Sequence, residues 1–496
     1  MLASRSRCGR RGAGRRHGDE ECRQGARAGR GPARAFGGIE GLRRGLRPGA
    51  GRRDHDRAGE TRSRDDRKTA NCHGACLVKV LILGADGFIG RHIAFGLRAE
   101  GAEVIACARR PEALREMGFE VLAADLSDPA THEPGFWRAA LEGGVHLVNC
   151  AGLLTGADEA FEAVHVTAPK AALAALDGGR MVQISAVGID SAETGFARWR
   201  RKAEAALASE VVTFLRPGLV VGETSYGGSS LVRAFAALPF VQPVVGDGRQ
   251  PFNPIHAADL AQVVAECLRA PPGPGPFEIG GPETLSQAEL SAAYRRWLGR
   301  SPARVLRLPL GLARRIGQLG EALKLGPISR AGVDQLEAGV TANSTALLEH
   351  IRTRPRGISE ALRIRPAGTQ DLWQARLYLL KPLIRITMAL LWIGAAIGAF
   401  LSPDASVAAL MPGRPEGLAL FAMRGGGMIE LVLGLALLAH WSPRLTAIAQ
   451  IAWIALAVIG LGLLAPGLWL LPMGGLVKML PVLLLALVHL ALLDER

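Results

Sequence analysis

The chain has 496 residues, 49% of them hydrophobic, and a formal net charge of +14 at pH 7. This length allows two or three domains, and the charge suggests a nucleic-acid binder until it is located along the chain. Residues 1–76 contain 20 Arg or Lys and 9 Asp or Glu, so this segment carries about +11 of the excess charge. The rest of the chain is close to neutral, and we expect no nucleic-acid partner.

The basic segment, residues 1–76, is rich in Gly and Arg and nearly free of aromatic residues. It lacks helical and strand periodicity, so we predict a disordered tail. An RGG-type arm would carry interleaved aromatics, a secretory signal would need an apolar run, and acidic residues such as Asp19, Glu20 and Glu21 argue against a transit peptide. We interpret the tail as a non-essential extension, such as an upstream start assignment would create, with the functional chain beginning near Leu77.

The seven cysteines show no disulfide framework. Cys72 and Cys76 lack both the usual two-residue gap and a second pair of zinc ligands. We therefore expect reduced thiols and no metal site.

An α/β domain is predicted over residues 77–222. Short apolar runs alternate with helical stretches, which is typical of a doubly wound parallel sheet, the Rossmann architecture. The runs lie at about 78–83, 104–107, 120–126, 145–152, 180–188 and 211–222. A smaller region, residues 223–372, follows and contains the loop PPGPGP.

The last part of the chain, residues 378–496, predicts a four-helix transmembrane bundle. Its apolar runs cover about 383–401, 418–440, 445–465 and 474–493, each near the length that crosses a bilayer. Lys381 precedes the first run and Arg385 lies at its start, and Arg444 lies between the second and third runs, whereas no cation separates the third and fourth. This asymmetry predicts a multi-pass protein of the bacterial inner membrane, with the N-terminal domain and the C-terminus cytoplasmic.

A glycine motif follows the first predicted strand directly and opens a helix. Gly84 permits a tight turn, Gly87 lets the backbone approach a pyrophosphate, and Gly90 lets the helix lie close to the sheet. The helix begins at Phe88 and Ile89, where free backbone N–H groups and the helix dipole favour an anion. The motif in this context predicts a dinucleotide site.

The end of the second strand indicates which dinucleotide is preferred. An acidic residue there would bind the ribose 2′-hydroxyl of NAD, but the chain has Arg109 and Arg110, which suit a 2′-phosphate. We expect NADP(H) to be preferred and NAD(H) to be possible. Asp125, after the third strand, can accept a hydrogen bond from the adenine amino group.

Seven further segments carry a family resemblance. GADGFIG, ADLSD, VNCAG, QISAVG, LRPGLVVG, FNPIHAADLA and FEIGGPETLSQAEL occur in the order and spacing of the atypical short-chain dehydrogenases/reductases, a NAD-dependent epimerase/dehydratase-like group. The chain most resembles the branch related to the accessory subunit of respiratory complex I, and residues 378–496 resemble a DoxX-like domain. The resemblance implies an NAD(P) site with Asn149, Ala151, Gly152, Ser185 and Pro217 near the cofactor.

The same resemblance implies an incomplete catalytic set. In the family a serine polarises the carbonyl, a tyrosine donates the proton, and a lysine one helical turn later binds the nicotinamide ribose. Ser185 and Lys202 match the serine and lysine, but the tyrosine position is Arg198, which stays charged near neutral pH. Of the three tyrosines, only Tyr226 has a sequence position from which it could fold back toward the nicotinamide.

Other ionisable residues are weaker candidates. His165 and His256 can titrate, but a buried structural histidine is the simpler interpretation of each, and Trp199 fits a core-facing helical stripe. In the membrane region, Arg424 and Glu430 lie in the second run and Lys478 in the fourth. We expect Glu430 to pair with Arg424 or Lys478, unless the two cations extend to the headgroups.

Three functions remain open. The first is a non-catalytic NADP(H)-binding module that senses redox state or stabilises a membrane complex. The second is an active NAD(P)H-dependent oxidoreductase or epimerase with a small or lipid-like substrate. The third is a quinone-linked membrane redox protein, although no flavin, haem or iron–sulfur motif is visible in the sequence.

Overall fold

A computed structural model describes residues 79–154, 156–325, 328, 330–408, 413, 415–470 and 475–493. The predictions for the basic tail, including Cys72 and Cys76, fall outside these residues. The three cysteines within the described residues, Cys107, Cys150 and Cys267, are free thiols.

Thirteen strands are found in the described residues. In chain order they are β1 Lys79–Leu83, β2 Glu103–Ala108, β3 Glu120–Ala123, β4 His146–Asn149, β5 Met181–Ile184, β6 Val212–Pro217, β7 Val220–Val221, β8 Val241–Val245, β9 Pro251–Phe252, β10 Ile255–His256, β11 Phe277–Ile279, β12 Leu285–Ser286 and β13 Arg304–Leu308. Seven of them form one sheet in the order β11-β6-β5-β4-β1-β2-β3. All its pairings are parallel, so the predicted doubly wound Rossmann fold is confirmed.

Eighteen α-helices accompany these strands in the described part of the chain. They are α1 Phe88–Ala99, α2 Glu112–Glu116, α3 Pro134–Leu141, α4 Asp158–Glu162, α5 Ala168–Ala174, α6 Gly195–Ala206, α7 Gly228–Ala237, α8 Ala257–Arg269, α9 Gln287–Trp297, α10 Leu310–Ala322, α11 Arg330–Ala338, α12 Thr345–Leu348, α13 Ile358–Ile364, α14 Thr369–Leu401, α15 Asp404–Ala408, α16 Glu416–Ala439, α17 Pro443–Leu464 and α18 Met479–Ala491. A π-helical turn, Ala163–Thr167, joins α4 to α5.

The sheet is buried on both faces, which explains why its strands are continuous apolar runs rather than alternating ones. Val80 and Ile82 of β1 belong to a core that also contains residues of α1 and α8. The intervening Leu81 and Leu83 belong to the opposite core, with residues of α3 and α5. Helices therefore cover both sides of the sheet and leave its carboxyl edge for a ligand.

The smaller region contains three two-stranded pairs: β7 with β10, β9 with β12, and β8 with β13. The buried side-chain amide of Asn253 joins two segments of this region. Asn253 Nδ2 donates to Ala342 O at 2.8 Å, and Asn253 Oδ1 accepts from Ala342 N at 2.8 Å. This pair joins two segments that are 89 residues apart.

Three of the C-terminal helices, α14, α16 and α17, are long and apolar enough to cross a membrane. The fourth predicted run corresponds to a short 3₁₀ turn followed by α18, a shorter apolar helix, so the four-span arrangement stays a prediction. Small residues bring α14 and α16 close together. A Cβ atom added to Gly427 would lie 2.7 Å from Ala399 Cβ, and one added to Gly434 would lie 3.1 Å from Ala389 O.

Asp371, in the first turn of α14, fixes this helix to the smaller region. The carboxylate accepts from Gly368 N at 2.8 Å and from Arg365 Nη2 at 2.9 Å, and it lies 3.9 Å from Arg233 Nη1 of α7. Asp371 is 4% exposed and Arg233 is 3% exposed. Arg233 also donates to Glu223 O at 3.3 Å, in the loop after β7. The helix is thus held by buried charges as well as by apolar packing.

The Asn253 bridge generates a stability prediction. Asn253→Ala leaves the buried N–H and C=O of Ala342 without their partner, which costs about 2–4 kcal/mol. We expect the midpoint of thermal unfolding in detergent to fall by about 5–10 °C. Asn343→Ala, at an exposed neighbouring position, is the matched control. Equal midpoints for the two variants would contradict the bridging role.

Candidate nucleotide-binding site

The centre of the sheet has the geometry of a dinucleotide site. Strands β1 and β4 are neighbours, while the chain runs from β1 to β2 on one side and from β4 to β5 on the other. Ligands of open α/β sheets bind in the crevice at the carboxyl ends of such a strand pair. Gly84 ends β1 there with φ +71°, and a Cβ atom on it would lie 2.9 Å from Ala151 Cα, just after β4.

The other two motif glycines have different surroundings. Gly87 N donates to Gly84 O at 3.1 Å and closes the turn. A Cβ atom on Gly90 would lie 2.2 Å from Gly84 O, so no side chain fits between the helix and the turn. A Cβ atom on Gly87 would meet only Gly84 O, at 3.2 Å. Gly90 is thus required for packing, whereas Gly87 is exposed and leaves space for a ligand.

Helix α1 begins without a side-chain cap and without an acidic residue in its first turn. The first N–H groups of a helix have no intrahelical partner. Those of Phe88, Ile89 and Gly90 form no hydrogen bond within the described residues. With the helix dipole they favour a bound anion, and the open cradle over Gly87 fits a pyrophosphate.

Arg109 and Asp125 follow β2 and β3 at the carboxyl edge of the sheet. Both are exposed. Asp125 Oδ1 accepts from Ser127 Oγ at 2.6 Å and from Ser127 N at 3.0 Å. These hydrogen bonds, together with the Arg109 charge, hold the pKa of Asp125 below its usual range. One cation and one carboxylate therefore face the same region.

Asn149 and Pro217 are buried parts of the frame. Asn149 Nδ2 donates to Gln183 Oε1 at 2.8 Å, and its Oδ1 accepts from Ala151 N at 3.0 Å. Asn149 therefore shapes the turn that faces Gly84. Pro217 O accepts from Val187 N at 3.2 Å and holds the loop after β5 against the end of β6.

Ser185 lies next to a buried arginine that the sequence analysis did not identify. Ser185 is 5% exposed, and its Oγ has no hydrogen-bond partner among the described residues. Arg200 of α6 is 8% exposed and donates to Ile184 O at 2.8 Å. Burial lowers the pKa of Arg200 to about 10, so it remains a cation at neutral pH. A Cβ atom on Gly152 would lie 2.3 Å from Arg200 Nη2, so Gly152 leaves space for the guanidinium.

His165 is buried in the π-helical turn beside Arg200. Its Nε2 accepts from Leu153 N at 2.9 Å. Burial and the Arg200 charge lower the pKa of His165 to about 3, so the imidazole is neutral at physiological pH. A neutral ring that accepts a backbone hydrogen bond agrees with the structural role expected for this histidine.

Lys202 and Arg198 lie on the exposed side of α6. Lys202 Nζ is 4.0 Å from the centre of the Trp199 ring. Arg198 Nη2 lies 2.7 Å from Asp158 Oδ1, and the same oxygen accepts from Trp199 Nε1 at 2.9 Å. Neither cation hydrogen bonds to Ser185 in the described structure. Trp199 is 5% exposed, as its predicted packing role requires.

A second polar group connects α1 to the smaller region. His92 Nδ1 donates to Phe88 O at 2.8 Å, and His92 Nε2 lies 3.2 Å from Glu223 Oε2. His256 Nε2 lies 3.6 Å from Glu223 Oε1. The hydrogen bond from His92 holds the pKa of Glu223 at about 2. No sequence motif marks this cluster, because its three members come from separate segments.

His256 caps α8, and Asp259 in the first turn of this helix has a different partner. His256 itself accepts from Ala258 N at 3.3 Å at the start of α8. Asp259 instead accepts from Arg356 Nη2 and from Arg356 N, the latter at 2.8 Å. The structural role expected for His256 therefore includes capping the helix.

The ionisable residues of the membrane region also form other contacts than expected. Arg424 pairs with Asp404 at 2.8 Å. Glu430 forms no ion pair within the described residues and lies beside the Trp453 indole. Lys478 is exposed next to the start of α18. Of the two cations expected to pair with Glu430, Arg424 is thus bound to Asp404, and Lys478 forms no ion pair with Glu430 within the described residues.

Two protein families match separate parts of the chain. Residues 84–220 match the NAD(P)H-binding family, and residues 389–487 match the DoxX-like family. The first range contains the glycine turn, Ser185 and Lys202, and the second contains most of the long apolar helices.

Curated relatives and solved structures are also similar to part of the chain. The divinyl chlorophyllide a 8-vinyl-reductase of Zea mays is 27% identical over 51% of this chain and 69% of its own length. The enzyme of the same name from Oryza sativa subsp. indica is 29% identical over 47% and 61%. The chain therefore spans less than two thirds of the rice protein.

Among solved structures, MoeE5 in complex with UDP-glucose and NAD is 20% identical, with a TM-score of 0.44, over 61% of this chain and 99% of its own. The UDP-glucuronic acid 4-epimerase of Bacillus cereus is 14% identical, with a TM-score of 0.43, over 60% and 99%. The family matches and the sheet topology lead to one description: the chain joins an NAD(P)-binding Rossmann domain to a C-terminal DoxX-like membrane domain.

Proposed function

We propose that this protein is a membrane-anchored NADP(H)-binding module that senses nucleotide or stabilises a membrane complex, and not a tyrosine-dependent carbonyl reductase. The observation that carries the proposal is the set of contacts that the two cations of α6 form. Arg198 occupies the proton-donor position and is bound to Asp158, while Lys202 lies over Trp199. Nicotinamide, when bound, supplies a hydride, but no phenol stands beside Ser185 to supply the proton.

The positions of the three tyrosines support this proposal. Tyr226 is 70% exposed, and Tyr294 is 1% exposed in the core of the smaller region. Tyr378 belongs to α14. Because Ser185 Oγ has no hydrogen-bond partner among the described residues, no tyrosine hydroxyl is bonded to it as a substitute donor.

A chain of polar contacts supports the sensing role. His92, one turn beyond the proposed phosphate site, lies against Glu223, and Arg233 donates to the Glu223 backbone. Arg233 in turn faces Asp371 at the start of α14. The proposed phosphate site and the first membrane helix are therefore linked by the contacts of His92, Glu223 and Arg233.

Two contacts support the proposed orientation in a bacterial inner membrane. Arg385 of α14 donates to Leu323 O, and Lys324 Nζ lies 3.4 Å from Ala439 O at the end of α16. The connection between α16 and α17 thus lies on the same side of the helices as the NAD(P)-binding domain. By the positive-inside rule that side is the cytoplasm.

An active reductase is the second candidate, favoured by the unpartnered Ser185 Oγ, by Arg200 on the carbonyl of the preceding Ile184, and by the reductase names of the curated relatives. Ser185 can polarise an acceptor and Arg200 can stabilise negative charge. The substrate would have to obtain its proton from water or from a group of its own.

Nucleotide titration with a turnover assay separates the two candidates. We expect the full chain in detergent to bind NADPH and to oxidise none of it with carbonyl or quinone acceptors. Gly87→Asp should weaken binding about 100-fold, because the carboxylate repels the pyrophosphate at the helix N-terminus. The same carboxylate is a favourable helix cap, so folding is retained.

Gly135→Asp is the matched control, and this variant should bind NADPH normally. It places the same charge in the first turn of α3, where a Cβ atom on Gly135 meets nothing within 4 Å. Steady oxidation of NADPH that Gly87→Asp abolishes would establish the reductase instead. If Gly87→Asp binds NADPH as tightly as the wild type, the nucleotide does not bind at this turn.

Arg109 tests the proposed preference for NADP(H). Arg109→Ala removes a charge-assisted contact with the 2′-phosphate, so the Kd for NADPH should rise about tenfold while that for NADH changes less than about twofold. Arg115→Ala, an exposed charge removal on α2, should change neither. Equal loss of both nucleotides in Arg109→Ala would assign this residue a structural role.

Glu223 tests the sensing role. NADPH should slow amide hydrogen exchange in residues 369–382 of α14 by about threefold. In Glu223→Gln, nucleotide binding should persist but this effect should disappear. Glu278→Gln neutralises a half-buried carboxylate that accepts from Asn343 N and should behave like the wild type. Exchange that is insensitive to NADPH in the wild type would exclude the coupling.

A further inference from the structure

Helix α10 presents an apolar stripe to its surroundings. Leu312, Ile316 and Leu319 are 49%, 43% and 59% exposed. Their spacing of four and three residues places them on one face of the helix. Exposed single apolar residues are common, but three large ones on one helical face indicate a contact surface.

A different side of α10 is fixed to the protein, so the stripe cannot turn inward. Ala313, Gly317 and Gly320 are its buried residues, and a Cβ atom on Gly320 would lie 1.9 Å from Ile328 O. Arg314 binds Asp334 at 2.8 Å and Glu337 at 2.9 Å on α11. These contacts determine which face remains exposed.

The position of α10 identifies what covers the stripe. The residues that follow the helix are Leu323, whose carbonyl accepts from Arg385, and Lys324, which reaches the end of α16. Trp441, 66% exposed, lies in the adjoining turn between α16 and α17. Tryptophan is enriched where a membrane helix meets the headgroups. The C-terminal end of α10 thus lies beside the ends of the membrane-spanning helices.

The charges around the stripe complement an anionic surface. Arg315 lies on α10 one residue before Ile316, and Arg304 and Arg307 lie on β13, which leads into the helix. All three are exposed. The acid of α10, Glu321, accepts from Arg330 N at 2.9 Å. An apolar face with basic neighbours is the pattern of a helix that lies in a membrane interface.

We propose that α10 lies in the plane of the cytoplasmic membrane surface, with Leu312, Ile316 and Leu319 between the acyl chains and the nearby arginines at anionic headgroups. The inference rests on the membrane assignment proposed above. It gives the NAD(P)-binding domain a second attachment to the bilayer, in addition to α14.

Depth-dependent fluorescence quenching tests this attachment. The full chain, with its native cysteines replaced, carries one cysteine labelled with an environment-sensitive dye and is reconstituted in nanodiscs that contain anionic lipid. The labelled positions are Leu319 in the stripe, Gln318 beside it on another face of α10, Leu456 in α17, and Val211 before β6. Lipids brominated near the headgroup or near the chain end act as quenchers.

We expect shallow bromine to quench the Leu319 label at least about threefold more than the Gln318 label, as for a helix buried by its apolar face only. Deep bromine should quench the Leu456 label, and the Val211 label should respond to neither lipid. Nucleotide binding by each labelled variant verifies that the chain is folded.

Each alternative result overturns a defined statement. If the Leu456 label is quenched and the Leu319 label is not, the membrane assignment stands and the proposal for α10 is wrong. A blue-shifted Leu319 label that no brominated lipid quenches would assign the stripe to a protein partner, such as a second copy of the chain. Loss of quenching at both positions would remove the membrane assignment together with the proposal.

Discussion

The buried carboxylate of Asp371 is the constraint on which the arrangement of the two functional regions depends. Burying a charge is unfavourable unless ionic partners and hydrogen bonds compensate it. Asp371 has both, from Gly368 N, from Arg365 and from Arg233. Because these groups come from α7 and from the segment before α14, the carboxylate fixes where α14 leaves the smaller region. Ala375, one turn further on, belongs to the same apolar core as α7 and α9, so the helix is part of the soluble fold before it becomes a membrane helix.

Within the Rossmann domain, the groups that recognise a nucleotide and the groups that perform chemistry stand apart. Recognition uses the backbone of the turn and the start of α1, which are rigid because Gly84 and Gly90 permit no alternative packing. The cations of α6 do not form the catalytic arrangement that the resemblance implies, since Arg198 contacts Asp158 and Lys202 contacts Trp199. Instead, a neutral His165 and a charged Arg200 lie beneath the crevice.

The sequence was sufficient wherever a structural role is local. The strands of the sheet are short runs of branched residues, and the glycine turn combines three positions within seven residues, so both were predictable and the fold was confirmed. The contacts of Lys202 and Arg198 were not, because Asp158 lies about 40 residues away and only the folded chain brings it to α6. Arg424 pairs with Asp404 rather than Glu430, since the return of the chain between α14 and α16 decides which carboxylate is near. Arg200, Arg233 and Glu223 belong to no motif, and their importance arises from burial that a single sequence does not display.

The π-helical turn Ala163–Thr167 makes the number of residues between α4 and α5 important for packing. A π turn accommodates one residue more than an α-helix of the same rise. It therefore rotates Phe161 and His165, before and within the turn, relative to Ala168, Ala171 and Ala172 after it, and all five are buried. In a regular α-helix the two sets of side chains would point in the same direction. Only one set could then face the core against which it packs. Deletion of a single residue here is thus a change of register, which would preserve the helix and lose either the histidine below the crevice or the alanine face against the sheet.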